Sequence, residues 1–524
     1  MDNAKNIAKS TFALVIFALI GKVMGFGRES LIAYRFGTGM EKAAWTVAQS
    51  STGLMSALIT EAIATTFIPQ LQKVEIQLGE KEKNRYTSNM LFLTGLIALT
   101  ITILGGIFAP YIAKLTGGRF KPETFALTIR LIRIAVPSII FASMVGVFTG
   151  FLQFNRKFAA AGAVSLPLNA VYILYLVFLA PHFGIYGVAL ASVLGVVAQV
   201  LFLAPNAFKA GFRLKAALNF KDPYAKEAIL LAIPVLVSVS INNINTIVNK
   251  YLATGLGNAA VSRLDYANKL NLLILGIFIA AITAVIFPPM SKAFAEDDFL
   301  LGKQIMNGAV KAVLLITIPS TIGMIVLAKP VVEIAFQRGA FQPEDTIATA
   351  GALRCYAAVL VGLSINNVLN RVYYSIQDTK TPFYIGIVNV VLNVGLNIIV
   401  VNYFGIKGLA TSVSVSTGIA ALLRFYFLRK KIGQLGTRSY LRALLKTLMA
   451  GAVMGVFCYL TFFPLEQVLM RYLPLGGTLT LAKLGLLLLV VLCAAVLYGT
   501  LLYFLGFREV KDFVEYIKYK KDNK

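Results

Sequence analysis

Charged and amide side chains interrupt an otherwise apolar stretch between Ile241 and Asn271. Apolar residues on both sides are numerous enough for two membrane-spanning helices. A cation at the centre of a spanning helix costs about 2.5–3.5 kcal/mol on insertion scales, so we expect these side chains to face protein or water. In such an interior, the side chains of lysine and arginine can bind an anion. The polar members of the stretch are Asn242, Asn245, Asn249, Lys250, Arg263, Asp265, Asn268 and Lys269.

Two of these residues, Asp265 and Lys269, have the spacing and order that favour an ion pair within one helix. A pair that neutralises itself would serve only the fold. Arg263 adds a second cation to the same region, and two cations against one acid leave positive charge in excess. We therefore predict that Lys269 and Arg263 bind an anion and that Asp265 is a counter-ion.

The first apolar segment carries a second group of charges close to two glycines. Lys22, Gly25 and Glu29 share one helical face, and Arg28 follows Gly27. Because glycine lacks a Cβ, it permits a bend and close backbone approach. The pattern fits a bent gating helix that presents Lys22 and Arg28 to an anion. The alternative is a helix end whose charges extend to the membrane surface.

Glu61 is a carboxylate inside the second apolar segment. It could accept a proton, or it could neutralise Lys22, and we favour the second role.

The eleventh apolar segment has three asparagines, Asn389, Asn393 and Asn397, on one helical face. With Asn249 and the hydroxyl of Thr411, they could supply oxygen ligands to a Na⁺ ion. Hydrogen bonds between helices, worth about 0.6 kcal/mol each on average, are the alternative that the pattern favours. No carboxylate is evident in this group to neutralise an ion.

Composition restricts the class of protein that can hold these groups. Of 524 residues, 58% are hydrophobic and only 14% are charged, whereas about a quarter are charged in soluble proteins. Three cysteines without CxxC spacing and a single histidine exclude the common metal and nucleophile motifs. The net charge of +26 arises from loops between apolar segments, as the positive-inside rule requires, so nucleic acid is not an expected partner.

Apolar runs long enough to span a membrane recur along the whole chain, and we count about fourteen. Lys and Arg gather in the even-numbered links and in the C-terminal tail, which predicts that both termini are cytoplasmic. The fold class is therefore an all-α polytopic membrane protein. The spans lie near 10–27, 44–68, 88–110, 124–152, 158–180, 184–206, 228–252, 259–288, 308–328, 346–374, 382–403, 406–428, 444–464 and 480–505.

An internal repeat divides the chain. Phe183–Ala189 matches Phe404–Ala410, and Thr66–Leu71 matches Val285–Met290, both with a spacing of about 220 residues. Six spans in each repeat give two halves of the same orientation, an arrangement common in secondary transporters with the substrate site between the halves. We predict a six-helix bundle at 1–215, a second at 216–432, and two added helices with a basic cytoplasmic tail at 433–524.

Six segments follow one another along the chain: Lys22–Glu29, Ile32–Gly39, Thr65–Pro69, Tyr266–Leu270, Phe336–Phe341 and Gln377–Pro382. Taken in order, they resemble the MurJ (MviN) family. The resemblance implies the fold of the MOP exporters, with two six-helix repeats in a V and two extra helices that line a groove for a lipid tail. It implies a flippase of the bacterial cytoplasmic membrane that moves lipid II, an undecaprenyl-diphosphate-linked peptidoglycan precursor, from the inner to the outer leaflet.

The resemblance also implies the site and the partners. The family's cavity cations correspond to Lys22, Arg28 and Lys269; the family often has arginine at the first and third of these positions, and lysine lacks the bidentate geometry of arginine toward phosphate. We expect a monomer without a bound cofactor, surrounded by membrane lipids, with cell-wall synthesis proteins as candidate partners. Na⁺, H⁺ and the membrane potential are the candidates for energy coupling.

Other functions remain open from the sequence. The substrate could be another polyprenyl-diphosphate-linked oligosaccharide. A multidrug exporter of the same fold would need an acidic cavity for cationic drugs, which the excess of cations disfavours. A membrane glycosyltransferase would need a pair of catalytic acids, and the one candidate cluster is Glu333, Glu344 and Asp345.

Overall fold

The structure is a computed structural model that describes residues 2–215, 218–296, 298–473, 477–507, 509–511 and 515. Within these ranges the regular secondary structure is helical, which confirms the predicted fold class. A π-helical turn occupies Tyr175–Leu179. The α-helices are α1 (Asp2–Phe36), α2 (Met40–Leu78), α3 (Glu80–Ile107), α4 (Ala109–Gly117), α5 (Pro122–Ala135), α6 (Ser138–Phe154), α7 (Phe158–Gly162), α8 (Ser165–Leu174), α9 (Ala180–Lys209), α10 (Pro223–Thr254), α11 (Asn258–Ala295), α12 (Phe299–Val326), α13 (Ala328–Phe336), α14 (Pro343–Ala357), α15 (Val359–Ser375), α16 (Lys380–Ile432), α17 (Thr437–Tyr472) and α18 (Gly477–Phe504).

Eight helical segments of the described chain are long and apolar enough to cross a membrane, and the pair α5–α6, bent by 43°, adds a ninth if it crosses as one span. Two of these segments, Phe158–Lys209 and Lys380–Ile432, contain 52 and 53 residues. A straight helix of that length would extend about 80 Å, far beyond the roughly 30 Å of a hydrocarbon core. Each is therefore long enough for two crossings, and the total of fourteen spans stays a prediction.

Both long segments break at a glycine of the repeated motif. Gly184 and Gly405 each have a φ of 53°, with ψ values of −145° and −129°. Residues with a Cβ rarely adopt this backbone conformation, so glycine allows the chain to end one helix and begin the next without strain. In the first copy, the Tyr175 hydroxyl donates a hydrogen bond to the carbonyl of Gly184 at 2.6 Å.

The backbone repeats at a second turn with the same spacing of about 220 residues. Arg156 and Gln377 are the non-glycine residues of positive φ in the described chain, at 59° and 58°. The next amide donates in each case to a carbonyl five residues back, Lys157 to Leu152 and Asp378 to Tyr373, both at 2.8 Å. The helices before these turns, α6 and α15, contain 17 residues each. The repeat inferred from motifs is therefore present in local geometry.

The described chain forms two compact units. Unit 1 contains Met1–Ser262 and Arg338–Phe341, and unit 2 contains Arg263–Gln337 and Gln342–Lys524. The predicted boundaries at 215 and 432 are neither confirmed nor excluded by this division.

The short segment Arg338–Phe341 belongs to unit 1 because it binds the end of α1. The amide of Ala340 donates to the carbonyl of Tyr34 at 2.8 Å. A Cβ on Gly37 would lie 2.2 Å from the Ala340 carbonyl oxygen, so a side chain at this position would block the contact.

The core of unit 1 is rich in aromatic rings. Phe67 of α2 stacks on Tyr86 of α3 with ring centroids 5.9 Å apart. Phe212, which follows α9, meets Phe148 and Phe151 of α6 edge to face at 5.9 and 5.5 Å. Edge-to-face and offset pairs contribute beyond the area they bury. These contacts hold α2, α3, α6 and the end of α9 together.

The two C-terminal helices pack into unit 2. Gly451 and Gly455 of α17 are close to Ile322 of α12, where a Cβ would lie 2.6 and 2.7 Å from the isoleucine side chain. Small residues allow this approach, which drives helix association where lipid removes the hydrophobic driving force. The outward faces of α17 and α18 expose leucines such as Leu460 and Leu492, as expected of surfaces in contact with lipid.

Candidate functional site

Lys22 lies on α1 beside a close helix contact. The amide of Asn169 on α8 donates to the carbonyl of Gly21 at 3.0 Å. A Cβ on Gly21 would collide with the Ser165 hydroxyl, and one on Gly25 would touch Asn169. The Lys22 side chain is partly buried, and no hydrogen-bond or ion-pair partner for its ammonium is found among the residues described. α1 continues as one helix through Gly25, whose gating role stays a prediction.

Arg28 and Glu29 form a charge cluster with a residue that the sequence analysis did not select. The Arg28 guanidinium donates to the Glu29 carboxylate at 2.9 Å and lies 4.9 Å from the centre of the Tyr172 ring. The ammonium of Lys42, on α2, lies 3.8 Å from the other oxygen of Glu29. The Lys42 side chain is completely buried, and that of Glu29 is 5% exposed. Glu29 is therefore a counter-ion to two cations.

Glu61 is exposed on α2, and the ion pairs found within the described residues do not join it to Lys22. The face of α1 that contains Gly21 and Gly25 packs on α8. Glu61 belongs to α2. The counter-ion role of Glu61 stays a prediction.

The ion pair expected at the start of α11 is present. The Lys269 ammonium lies 2.9 Å from the Asp265 carboxylate, and the two side chains are 25% and 12% exposed. Two nitrogens of the Arg263 guanidinium donate to one oxygen of Asp345, at 2.9 and 2.7 Å. The predicted excess of positive charge omitted Asp345, which is 82 residues further along the chain. Arg263 and Lys269 thus each have a carboxylate within ion-pair distance.

The acidic cluster considered for glycosyl transfer is occupied by structural contacts. Glu333 of α13 accepts from the Lys483 ammonium at 2.6 Å, and Lys483 also lies 2.9 Å from Glu466. The second oxygen of Asp345 accepts the backbone amide of Gln342 and caps α14. Glu344 is exposed in the first turn of the same helix. These carboxylates stabilise helix ends and helix contacts, and they do not converge as a catalytic pair.

The asparagines of α16 are joined by hydrogen bonds. The Asn397 amide donates to the Asn393 side chain at 3.0 Å, and the Asn393 amide lies 3.5 Å from the Ser416 hydroxyl. The buried side-chain oxygen of Asn389 lacks a hydrogen-bond partner within the described chain. The Asn393–Ser416 contact joins the two parts of α16 across the break at Gly405, whereas the Asn397–Asn393 bond lies within one helix, and the sodium site stays a prediction.

The other two residues proposed for a sodium site are Thr411 and Asn249. Thr411 is exposed, and its hydroxyl donates to the carbonyl of Lys407 in its own helix at 2.8 Å. Asn249 is partly buried on α10, within unit 1. No group of three His, Cys, Asp or Glu side chains suited to a metal ion occurs in the part of the chain that was searched.

Arg424 is a buried cation of α16 that the sequence analysis missed. Its guanidinium donates to the side-chain oxygens of Asn370 at 2.8 Å and Asn366 at 3.0 Å. The Tyr373 hydroxyl donates to the Arg424 carbonyl at 2.7 Å. Neutral amides therefore satisfy this charge and join α15 to α16. Its only signal in the sequence is an arginine inside an apolar run, opposite two asparagines of the preceding helix.

The sequence profile of the family described as lipid II flippase MurJ matches residues 32–475. The chain belongs to the MurJ family. A relative from Haemophilus influenzae, named as a probable lipid II flippase MurJ, is 30% identical over 460 residues, which cover 83% of this chain and 89% of the relative. The MurJ match includes most of the candidate charges, although Lys22, Arg28 and Glu29 precede it.

Two solved structures show the same fold. A lipid II flippase MurJ in an inward closed conformation matches with a TM-score of 0.75 and 22% identity, covering 94% of this chain and 99% of that one. An inward-facing multidrug resistance transporter of the MATE family and MOP superfamily matches with a TM-score of 0.68 and 18% identity, over 81% and 99% of the two chains. The fold is therefore that of the MOP transporters.

Membership of the MurJ family, together with the apolar helices, identifies a multi-pass protein of the bacterial inner membrane. Because the family is one of flippases, the protein is a transporter and not an enzyme.

Proposed function

We propose that this protein is a lipid II flippase, which moves the undecaprenyl-diphosphate-linked peptidoglycan precursor from the inner to the outer leaflet by alternating access. Support comes from the MurJ family match over residues 32–475 and from relatives that carry this name. In the structure, Lys22 gives the strongest support to the proposal. Its ammonium is partly buried in an apolar helix and has no acceptor among the described residues.

The physical problem for such a substrate is its diphosphate. Its charges lose their hydration when they enter hydrocarbon, and the cost of an unpaired charge there is prohibitive. Cationic donors replace that hydration with charge-assisted hydrogen bonds. In our proposal Lys22, Arg28 and Lys269 provide these donors, while the isoprenoid chain stays in lipid or in a side groove.

The counter-ions set how tightly the phosphates are held. Arg28 and Lys269 each have a carboxylate at 2.9 Å, Glu29 and Asp265 respectively. A phosphate that approaches these cations must share them with the carboxylate, which reduces the net gain from binding. Lys22 has no such competitor in the described chain and would make the stronger contact. Moderate affinity is what a transporter needs, because a substrate held too tightly is not released.

The membrane potential is the driving force that we propose. With the cytoplasm negative, outward movement of each negative charge gains about 2.3 kcal/mol per 100 mV. A diphosphate that crosses without a counter-ion would therefore be driven outward by its own charge. The neutral amides of Asn389 and Asn393 are a poor substitute for a carboxylate in a Na⁺ site, so we assign no ion to the cycle.

The orientation and the assembly state complete the proposal. The basic links and the basic C-terminal tail lie on the cytoplasmic side, together with both termini. The working unit is a monomer, which receives its substrate from, and delivers it to, the enzymes of cell-wall synthesis.

The proposal is tested by expression in a bacterial strain depleted of its own lipid II flippase. We expect growth to be restored and lipid II to become accessible at the outer leaflet in a leaflet-specific labelling assay. Collapse of the membrane potential should stop the labelling, whereas a sodium ionophore that spares the potential should not. Failure to restore growth by a protein that inserts normally would point to another polyprenyl-linked oligosaccharide and reject lipid II.

A further inference from the structure

A basic cavity lies in unit 2, and no residue of α11 is among the described residues that line it. Its volume is about 830 Å³, and it is formed by α12, the turn between α16 and α17, the start of α17, and the chain that follows α18. Small-molecule sites generally occupy about 300–1,000 Å³, so the cavity is large enough for a ligand. The charged residues that line it are Lys311, Arg429, Arg438, Arg442, Lys446 and Glu509.

Two of the five cations are used by the fold. The Lys311 ammonium lies 2.9 Å from the Glu509 carboxylate. The Lys446 ammonium donates to the carbonyl of Gly506 at 3.0 Å and holds the chain that follows α18 against α17. These contacts close the wall of the cavity and neutralise Glu509, the one acid among the lining residues that the structure describes.

The three arginines are not used in this way. Arg429, Arg438 and Arg442 are exposed side chains that form no ion pair with the other residues described. Three guanidinium groups around one cavity repel each other, and the repulsion falls when an anion lies between them. Guanidinium groups also match the oxygen geometry of phosphate better than any other side chain.

The first turn of α17 adds to the positive potential. This helix of 36 residues begins after Gly436, which provides no side-chain cap. Thr437, Arg438 and Ser439, in its first turn, line the cavity. The first amides of a helix have no acceptor within the helix and attract anions. The contact between the Tyr440 hydroxyl and Asn307 of α12 fixes this turn against the wall.

An excess of basic residues at one end of a membrane protein follows from the positive-inside rule and by itself requires no ligand. That rule explains their presence in the loop, but it does not predict that three arginines and a helix start converge on one cavity. Basic pockets between membrane helices on the cytoplasmic side are suited to acidic lipid head groups.

We propose that this cavity binds the phosphate group of an anionic ligand, held by Arg429, Arg438, Arg442 and the backbone amides of Thr437 and Arg438. Both a phospholipid head group and a soluble phosphate ester present this chemistry. The proposal is independent of lipid II transport, because none of these residues is among the cations assigned to the substrate.

The test measures ligand binding by the full-length protein in an uncharged detergent. The unfolding temperature is followed with increasing phosphatidylglycerol, and phosphatidylcholine is the zwitterionic control. We compare the wild type with Arg438→Gln/Arg442→Gln and with the matched control Lys329→Gln/Arg471→Gln, which removes two exposed cations outside the cavity lining. Arg438→Lys/Arg442→Lys keeps the charge and controls for folding.

We expect phosphatidylglycerol, but not phosphatidylcholine, to raise the unfolding temperature of the wild type. The Gln double variant should bind about tenfold or more weakly, since each charge-assisted hydrogen bond is stronger than a neutral one. The control should bind normally, and the Lys variant should retain most of the affinity. Equal binding by the Gln double variant and the control would overturn the proposal, and so would a wild type that responds to no phosphate ligand.

A competition arm identifies the source of the phosphate. If glycerol phosphate in solution displaces phosphatidylglycerol, the site takes a soluble ester; if it does not, the site takes the lipid head group. Raised salt should weaken the binding of either ligand, because it screens the attraction between the phosphate and the arginines.

Discussion

The ammonium of Lys42 lies 3.8 Å from the carboxylate of Glu29, and the lysine side chain is completely buried. Arg28 donates to the other oxygen of the same carboxylate at 2.9 Å. Glu29 thus joins a cation of its own helix to one of α2 in the interior of unit 1. Removal of one partner of a buried pair leaves an uncompensated charge and costs about 3–5 kcal/mol.

We therefore expect Glu29→Gln to lower the unfolding temperature of the purified protein strongly. The double variant Glu29→Gln/Lys42→Met should recover part of that loss, because it removes the buried ammonium as well. Glu41→Gln, at an exposed carboxylate beside Lys42, is the matched control and should change stability by less than about 0.5 kcal/mol. Additive losses in the double variant would show that the two charges are not coupled.

The helix breaks at Gly184 and Gly405 allow a prediction about backbone strain. Gly184 and Gly405 both have a φ of 53°, and an added Cβ would meet nothing closer than 3.9 Å at the first and nothing within 4 Å at the second. Alanine at either position therefore adds strain but no collision, and we expect a loss of about 1–2 kcal/mol at each. Gly27→Ala is the control, because it lies inside α1 and its Cβ would also meet open space. It should be neutral or stabilising. The measurement is thermal unfolding in detergent, and equal effects at all three glycines would reject the assignment of strain.

Asp378, in the turn before α16, makes stability depend on pH. Partial burial by itself would raise the pKa of Asp378, but hydrogen bonds from Lys431 and Thr381 lower it below its ordinary value. A carboxyl group whose pKa is lowered by folding stabilises the protein above its unfolded pKa, about 3.9, and this contribution disappears as the pH falls through the lowered value.

Asp378→Asn should therefore be less stable than the wild type at pH 7, and the difference should shrink below about pH 4. Lys431→Gln removes the partner and should reproduce most of the pH-dependent part of the effect. Unfolding temperatures between pH 7 and pH 3 provide the measurement. A difference that stays constant across this range would mean that Asp378 acts only as a helix cap.

The fold class could be predicted because hydropathy and the charge of loops can be read from consecutive residues, without knowledge of which segments meet in space. The motif Phe404–Ala410 also located the corner at Gly405, since glycine is the residue that such a turn needs. The Asp265–Lys269 pair was predictable because both residues lie on one helix at a fixed spacing.

The charges that lie far apart in the chain were not predictable in the same way. Asp345 reaches Arg263 across 82 residues, and no periodicity relates them. Lys42 stands next to Glu41 at a helix start, where a lysine ordinarily reaches solvent, and only the packing of α1 and α2 shows that it is buried. Arg424 is satisfied by amides of a different helix, which a search for opposite charges does not find.

In the proposed mechanism, Lys22 and Lys269 bind the diphosphate of lipid II while it crosses the membrane. Its most direct test is leaflet-specific labelling of lipid II in a flippase-depleted strain that expresses each variant, with membrane levels of the protein measured in parallel. Lys22→Ala and Lys269→Ala should each abolish labelling at the outer leaflet without loss of protein, whereas Lys22→Arg and Lys269→Arg should retain it, because arginine keeps the charge. Lys329→Ala, at an exposed lysine of α13, should behave as wild type. Normal labelling with both alanine variants would show that neither lysine is needed for transport of lipid II, which contradicts the proposed mechanism.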